Sequence, residues 1–306
     1  MTSNKIRDNK TRWLWPYVAP LRMLIVLALG SCAFAQERPY FVTYPHEMEE
    51  PGNLEIATKC ALGKPPAGNR FLGSSMEFEY GVKAWWTTEF YLDGVATPKD
   101  STVFTGFRWE NRFRPLAREH WINPVLYVEF ENINGANKSL LEVVGHDGAS
   151  DLVERNGDAR QEKKREIELK LILGSNFRGW NVSENIIAEK NLTNSPWEFG
   201  YAIGASRPLK LAASAHKCMF CAQKFAAGVE MYGGLGDRYT LGLHDTSHYL
   251  GPAINWAAPS GFTLSFSPQF GLNDNSVPRL YRFGISYEIS QVFGRMGFLH
   301  KHEEGR

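Results

Sequence analysis

Between residues 54 and 289 apolar side chains return at every second position in segment after segment, a period that fits β-strands with one apolar face and does not fit helices. In 75–82, Met76, Phe78, Tyr80 and Val82 share one face while Glu77 and Glu79 share the other. The parity recurs in Trp197, Phe199, Tyr201, Ile203 and Ala205, and in Ile167, Leu169, Leu171 and Leu173 against Glu166, Glu168 and Lys170. It recurs again in Val103, Phe107, Trp109 and Phe113 against Arg108, Glu110 and Arg112, and in Tyr281, Phe283, Ile285, Tyr287 and Ile289 against Arg282 and Glu288. The pattern predicts strands over 54–62, 75–82, 85–93, 102–113, 123–132, 165–174, 178–189, 197–206, 209–215, 224–232, 238–243, 248–256, 261–270 and 279–289. With 28 Gly, 12 Tyr, 9 Trp and 19 Phe, composition points the same way.

The first residues carry an address. Lys5, Arg7, Lys10, Arg12 and Arg22 precede the apolar run 23–29, and Ala33-Phe34-Ala35 follows, which together predict a cleaved signal peptide over 1–35. The run is far shorter than the ~20 residues of a spanning helix. A second reading is a lipoprotein signal, in which Leu29-Gly30-Ser31 leads to a modified Cys32. Either way the residues predict export to an oxidising compartment. Residues 36–53 then read as an N-terminal periplasmic arm, 54–289 as the sheet and 290–306 as a C-terminal tail.

Short connections alternate with longer ones if the first strand runs outward. Lys83-Ala84, 175–177, Arg207-Pro208, 233–237 and 257–260 form the short set, with 114–122 as its exception. The segments 63–74, 94–101, 133–164, 190–196, 216–223 and 271–278 form the longer set, with 244–247 as its exception. The 133–164 segment reads as a long solvated loop.

A soluble exported β-sandwich also alternates apolar and polar faces. The aromatic density of the apolar face, the charged opposite face and the rhythm of connections favour a membrane barrel. On these residues the chain resembles the broad class of bacterial outer-membrane β-barrels over roughly 54–289. The final strand, 280–289, resembles the targeting strand of such proteins, although 290–306 follow it. The resemblance implies an all-β, antiparallel up-and-down transmembrane barrel of about 12–14 strands in the cell outer membrane. It also implies contact with outer-membrane lipid, insertion by the barrel assembly machinery, and porin-like transport of small solutes.

The charged face supplies the candidate functional residues. Glu77, Glu79, Glu89, Arg108, Glu110, Arg112, Glu129, Glu131, Glu166, Glu168, Lys170, Glu230, Arg282 and Glu288 are expected in the lumen, with Lys210 and Lys224 beside them. Charged rings tune which solutes pass a water-filled lumen, or else they pair across strands and fill a closed one.

Other motifs are weaker. Cys218-x-x-Cys221 is read as a small disulfide in an exported chain, ahead of a metal site with His216. Cys60 is read as a packed hydrophobe. His244-Asp245-Thr246-Ser247-His248 loosely resembles the His/Ser sites of outer-membrane phospholipases and lipid A deacylases, with Ser247 misplaced relative to His244. An outer-membrane lipid or ester hydrolase and a structural or adhesion barrel are therefore the alternatives to a channel. His46 and Met48, in the acidic stretch 44–52, are types that bind copper, and an exposed arm is the simpler reading. No nucleotide, dinucleotide, HExxH or EF-hand motif is present, so no cofactor and no metal are expected. A net charge of +1 selects no nucleic acid.

Overall fold

The computed structural model describes residues 38–139, 143–193, 195–211 and 218–295. The expected leader over 1–35, His216 and the tail beyond 295 lie outside the described residues. The strands are β1 (Leu54–Gly63), β2 (Phe71–Lys83), β3 (Trp86–Ala96), β4 (Thr102–Phe113), β5 (Asn123–Asn134) and β6 (Lys163–Phe177). They continue with β7 (Trp180–Asn191), β8 (Trp197–Pro208), β9 (Phe225–Asp237), β10 (His248–Ala257), β11 (Phe262–Gly271) and β12 (Arg279–Ile289). Each strand pairs antiparallel with its sequence neighbours, and β1 meets β12 from Leu54↔Ile289 to Gly63↔Leu280, closing a barrel of twelve strands.

Parity decides which side each residue takes. Leu126, Val128, Leu169, Leu171, Ile186, Ile203, Phe266, Phe283 and Ile285 cover the outside and are exposed there. Around the end with the short turns, tryptophans gather into an aromatic girdle. Trp85, Trp86 and Phe113 stack with centroids 6.2 to 6.4 Å apart, Trp121 meets Phe177 at 5.6 Å, and Trp256 stacks on Phe220 at 5.3 Å. An apolar band bordered by aromatic rings is the surface a bilayer requires of a barrel.

Two expected strands, 209–215 and 238–243, are absent from the barrel among the described residues. Asp237 Oδ1 accepts hydrogen bonds from Tyr239 N (2.7 Å), Thr240 N (2.8 Å) and Thr240 Oγ1 (2.9 Å), turning the chain just where 238–243 alternates like a strand. The described part of 209–215 follows the end of β8 at Pro208 as irregular chain. Losing one strand on each side moves the Cys218–Cys221 disulfide from the long-loop end to the short-turn end, into the connection 209–224. Cys60 is free, on the outward face of β1. A bulge at Gly106 flips parity in β4, so Val103 packs inward and Phe104 is exposed, the reverse of strict alternation.

The connection 135–162 is, in its described residues 135–139 and 143–162, not a solvated loop. It folds across the long-loop end, where Val143, Ala149, Leu152 and Ala159 join Phe71, Val95, Tyr249 and Leu280 in a buried apolar cluster. One helical turn, Asn156–Ala159, is held by Asn156, whose N donates to Asp100 Oδ2 (2.7 Å) and whose Nδ2 donates to Thr97 Oγ1 (3.0 Å).

Candidate functional site

The antiparallel register lines up one carboxylate per strand around most of the wall. Cross-strand partners run Glu288–Glu55–Glu79–Glu89–Glu110–Glu129–Glu168–Glu189–Glu198–Asp237, from β12 through β1 to β9. The row climbs from the short-turn end at Glu288 to the long-loop end at Asp237. Like charges in adjacent cross-strand positions repel, so such a row stands only with counter-charges.

Bases on the neighbouring rows supply them. Arg112 Nε lies 2.8 Å from Glu110 Oε1 and its Nη2 lies 3.6 Å from Glu89 and closer to Glu79. Arg108 bridges Asp93 (2.7 Å) and Glu129 (3.0 Å), Lys59 reaches Glu77 (2.7 Å), and Lys170 reaches Glu168 (2.8 Å). Three tyrosines complete the network: Tyr91 and Tyr44 donate to Glu110, and Tyr127 donates to Glu129. Arg108 stacks on Tyr91 at 4.1 Å, and Lys170 Nζ lies 4.3 Å from the Tyr127 ring centre.

All fourteen charged residues expected in the lumen stand at inward positions of their strands. Lys210 does not: it is exposed in the 209–224 connection, and Lys224 sits in the short helical turn before β9. Glu55, Lys59, Asp93, Glu189, Glu198 and Asp237 belong to the same network, beyond the residues expected from sequence. Their parity within each strand was available, but the register that aligns them is tertiary.

The arm, residues 38–53, lies inside the barrel. Its backbone crosses the lumen with Phe41 N (3.2 Å), Val42 N (2.8 Å) and Thr43 N (2.6 Å) all donating to the carboxylate of Glu230 on β9. Tyr40 donates to Asn181 Oδ1 (3.1 Å), and Tyr44 N donates to Asn185 Oδ1 (2.6 Å) on β7. Tyr44 and Met48 pack on an inward apolar patch of Val125, Tyr127 and Ile172. Asn53 Nδ2 donates to Glu288 (2.5 Å) where the arm joins β1.

Glycines on the inward face make room for this segment. A Cβ at Gly174 would lie 2.1 Å from His46 Nδ1, and one at Gly204 would lie 2.5 Å from the Tyr40 ring. Beside the arm a cavity of about 200 Å³ remains, bordered among others by Lys59, Glu79, Arg112, Ser286 and Glu288. Burial, with the Glu79 and Glu288 carboxylates nearby, pushes the Glu49 carboxyl up to about 8. Burial works the same way on Glu47, but Arg38 at its side holds it below the ordinary range.

Ser247 and Met48, singled out by the remaining motifs, are held by other partners. Ser247 Oγ is 2.8 Å from the carbonyl oxygens of both Asp147 and Asn275, which commits its single proton to the backbone. The His248 ring nitrogens face Thr246 Oγ1 (2.8 Å) and Tyr201 OH (3.1 Å). Ser247, the nucleophile the motif suggests, is thus not paired with a base, and the hydroxyl that reaches His248 is that of Thr246. His46 bonds Glu119 (2.9 Å), while Met48 packs on the apolar patch, so the two do not converge on a metal.

No family model and no curated protein matches the chain. Among solved structures, the COG4313 outer membrane channel from Pseudomonas putida F1 is similar with a TM-score of 0.52 at 11% identity, over 80% of this chain and 97% of that one. The fold is that of an outer-membrane β-barrel. Two structures of the KdgM porin, one in complex with disordered oligogalacturonate, give TM-scores of 0.44 and 0.42 at 6% and 7% identity. They cover 77% and 76% of this chain and 98% of each porin chain.

Proposed function

We propose that the chain is a channel for small solutes in the outer membrane, shut in this structure by its own arm and by the connection 135–162. The observation that supports the reading is what fills the interior. Small eight-stranded barrels are packed by the side chains of their walls. Here the space inside the twelve strands is taken by residues 38–53, a segment hung on discrete polar anchors at Glu230, Asn181, Asn185 and Glu110. With that segment displaced, the wall presents charged rows to water, the lining of a selective aqueous path. Carboxylates outnumber bases along those rows, so the path favours cations. Export by a signal peptide, insertion by the barrel assembly machinery and a lipid-facing apolar band belong to the same reading.

Planar lipid bilayers test it. The protein from residue 36 onward is expected to conduct rarely and weakly. A variant lacking 38–50, with 143–159 replaced by a short Gly-Ser segment, is expected to give steady, cation-preferring currents. If that variant shows the faster gel migration of a folded barrel before boiling and still passes no ions, the channel reading fails.

A further inference from the structure

The carboxylate row keeps pace with its bases only part of the way. Arg112 serves Glu79, Glu89 and Glu110, Arg108 serves Glu129, and Lys170 serves Glu168. At the next strand the partners stop. Glu189 is about nine-tenths buried, and its carboxylate makes no hydrogen bond or ion pair among the described residues. It points at Glu168, its cross-strand partner, and at Glu131 on β5, with one oxygen from each of the three within 4.8 Å of the others. Glu166 and Asp147 add negative charge close by, and Lys164 is shared among Asp147, Glu166, Glu162 and Glu189 and belongs to none of them alone.

We infer that Glu131, Glu168 and Glu189 form a calcium site in the lumen wall, where the ion takes the place of the base that the row lacks. The donors are all hard oxygens, with no imidazole or thiolate among them, which selects alkaline-earth over transition metals. Size selects within that class. Calcium binds oxygen at about 2.3–2.6 Å and tolerates irregular shells, so one ion touches oxygens up to about 5 Å apart. Magnesium needs about 2.1 Å and a near-regular octahedron, so its oxygens sit no more than about 4.2 Å apart, a stricter demand on three carboxylates than calcium makes. Lumen water completes the shell. The site lies between the Tyr44 level of the arm and the connection 135–162, and its existence does not depend on conduction.

Isothermal titration of the folded, chelator-treated protein with calcium chloride alone, in a non-ionic detergent, tests the assignment. One saturating site is expected, with a dissociation constant on the order of 10⁻⁵ to 10⁻³ M, in the sensor-to-extracellular range. Glu189→Gln keeps the side-chain shape and removes a repulsive charge, so it folds, and it weakens binding at least tenfold. Glu184→Gln, on the exposed outward face of the same strand, leaves binding unchanged. Should Glu189→Gln lose its folded gel migration, Glu131→Gln serves in its place with the same expected loss. Absence of saturable binding, a Glu189→Gln titration that overlays the wild type, or equal affinity for magnesium would overturn the calcium site.

Discussion

Replacing Glu230 with Ala should release the arm while leaving the barrel intact. Glu230 is fully buried and accepts from three consecutive backbone N–H groups, of Phe41, Val42 and Thr43. A hydrogen bond to a charged acceptor contributes about 1.5–3 kcal/mol. The three share one carboxylate and do not add fully, which puts the loss at roughly 3–6 kcal/mol of docking free energy. At about 1.4 kcal/mol per tenfold, the undocked population rises by roughly 10² to 10⁴. Glu230→Gln keeps one acceptor oxygen and falls between. The assay is thiol labelling of a Thr43→Cys background, a position buried in the docked arm, with a water-soluble maleimide in detergent micelles. Labelling should accelerate by at least a hundredfold when Glu230→Ala is added, at unchanged heat-modifiable migration. If the introduced thiol stays as protected as in the Glu230 parent, the arm is not held by this anchor and the reasoning is wrong.

Three further outcomes follow from the same geometry. Gly204→Val drives a side chain into the Tyr40 ring, which a Cβ already approaches to 2.5 Å, and should expose the Thr43→Cys thiol to labelling with the barrel still folded. The docked arm raises Glu49 from an ordinary 4.5 to about 8, so the Glu49 contribution to docking is fully present below pH 4.5 and is lost as pH rises through 8; Glu49→Gln should flatten the pH dependence of thiol labelling across that window. Arg112→Leu strands Glu79, Glu89 and Glu110 without their shared base and should cost about 3–5 kcal/mol, read as a lower urea midpoint for loss of the fast-migrating band.

Much of the barrel wall was legible because parity is local: Met76, Phe78 and Tyr80 against Glu77 and Glu79 reveal two faces without any knowledge of neighbours. Failures arose where local pattern and tertiary cause part company. Tyr239, Leu241 and Leu243 alternate like a strand, yet the Asp237 carboxylate folds that stretch into a turn. Val103 changes sides because of one bulge at Gly106. The arm's Tyr44-Pro45-His46-Glu47 reads as a solvated acidic stretch, and nothing in it discloses that Asn185, Glu119 and Arg38 wait to satisfy it. Charges could be placed on the inner face from sequence, whereas the single row they form needed the register of ten strands.

The arm does more than obstruct. Ahead of β1 in the chain, it is bonded to β7 and β9, and through Asn53 to Glu288 on the last strand, 235 residues away. Closing a ring of strands means bringing the first and the last together, the slowest kind of encounter for a chain to make. A segment that crosses the interior and grips distant strands acts as an internal tether that shortens this search. Removal of 38–50 should therefore delay the appearance of the closed, fast-migrating form during refolding into detergent, even where the finished cylinder is equally stable.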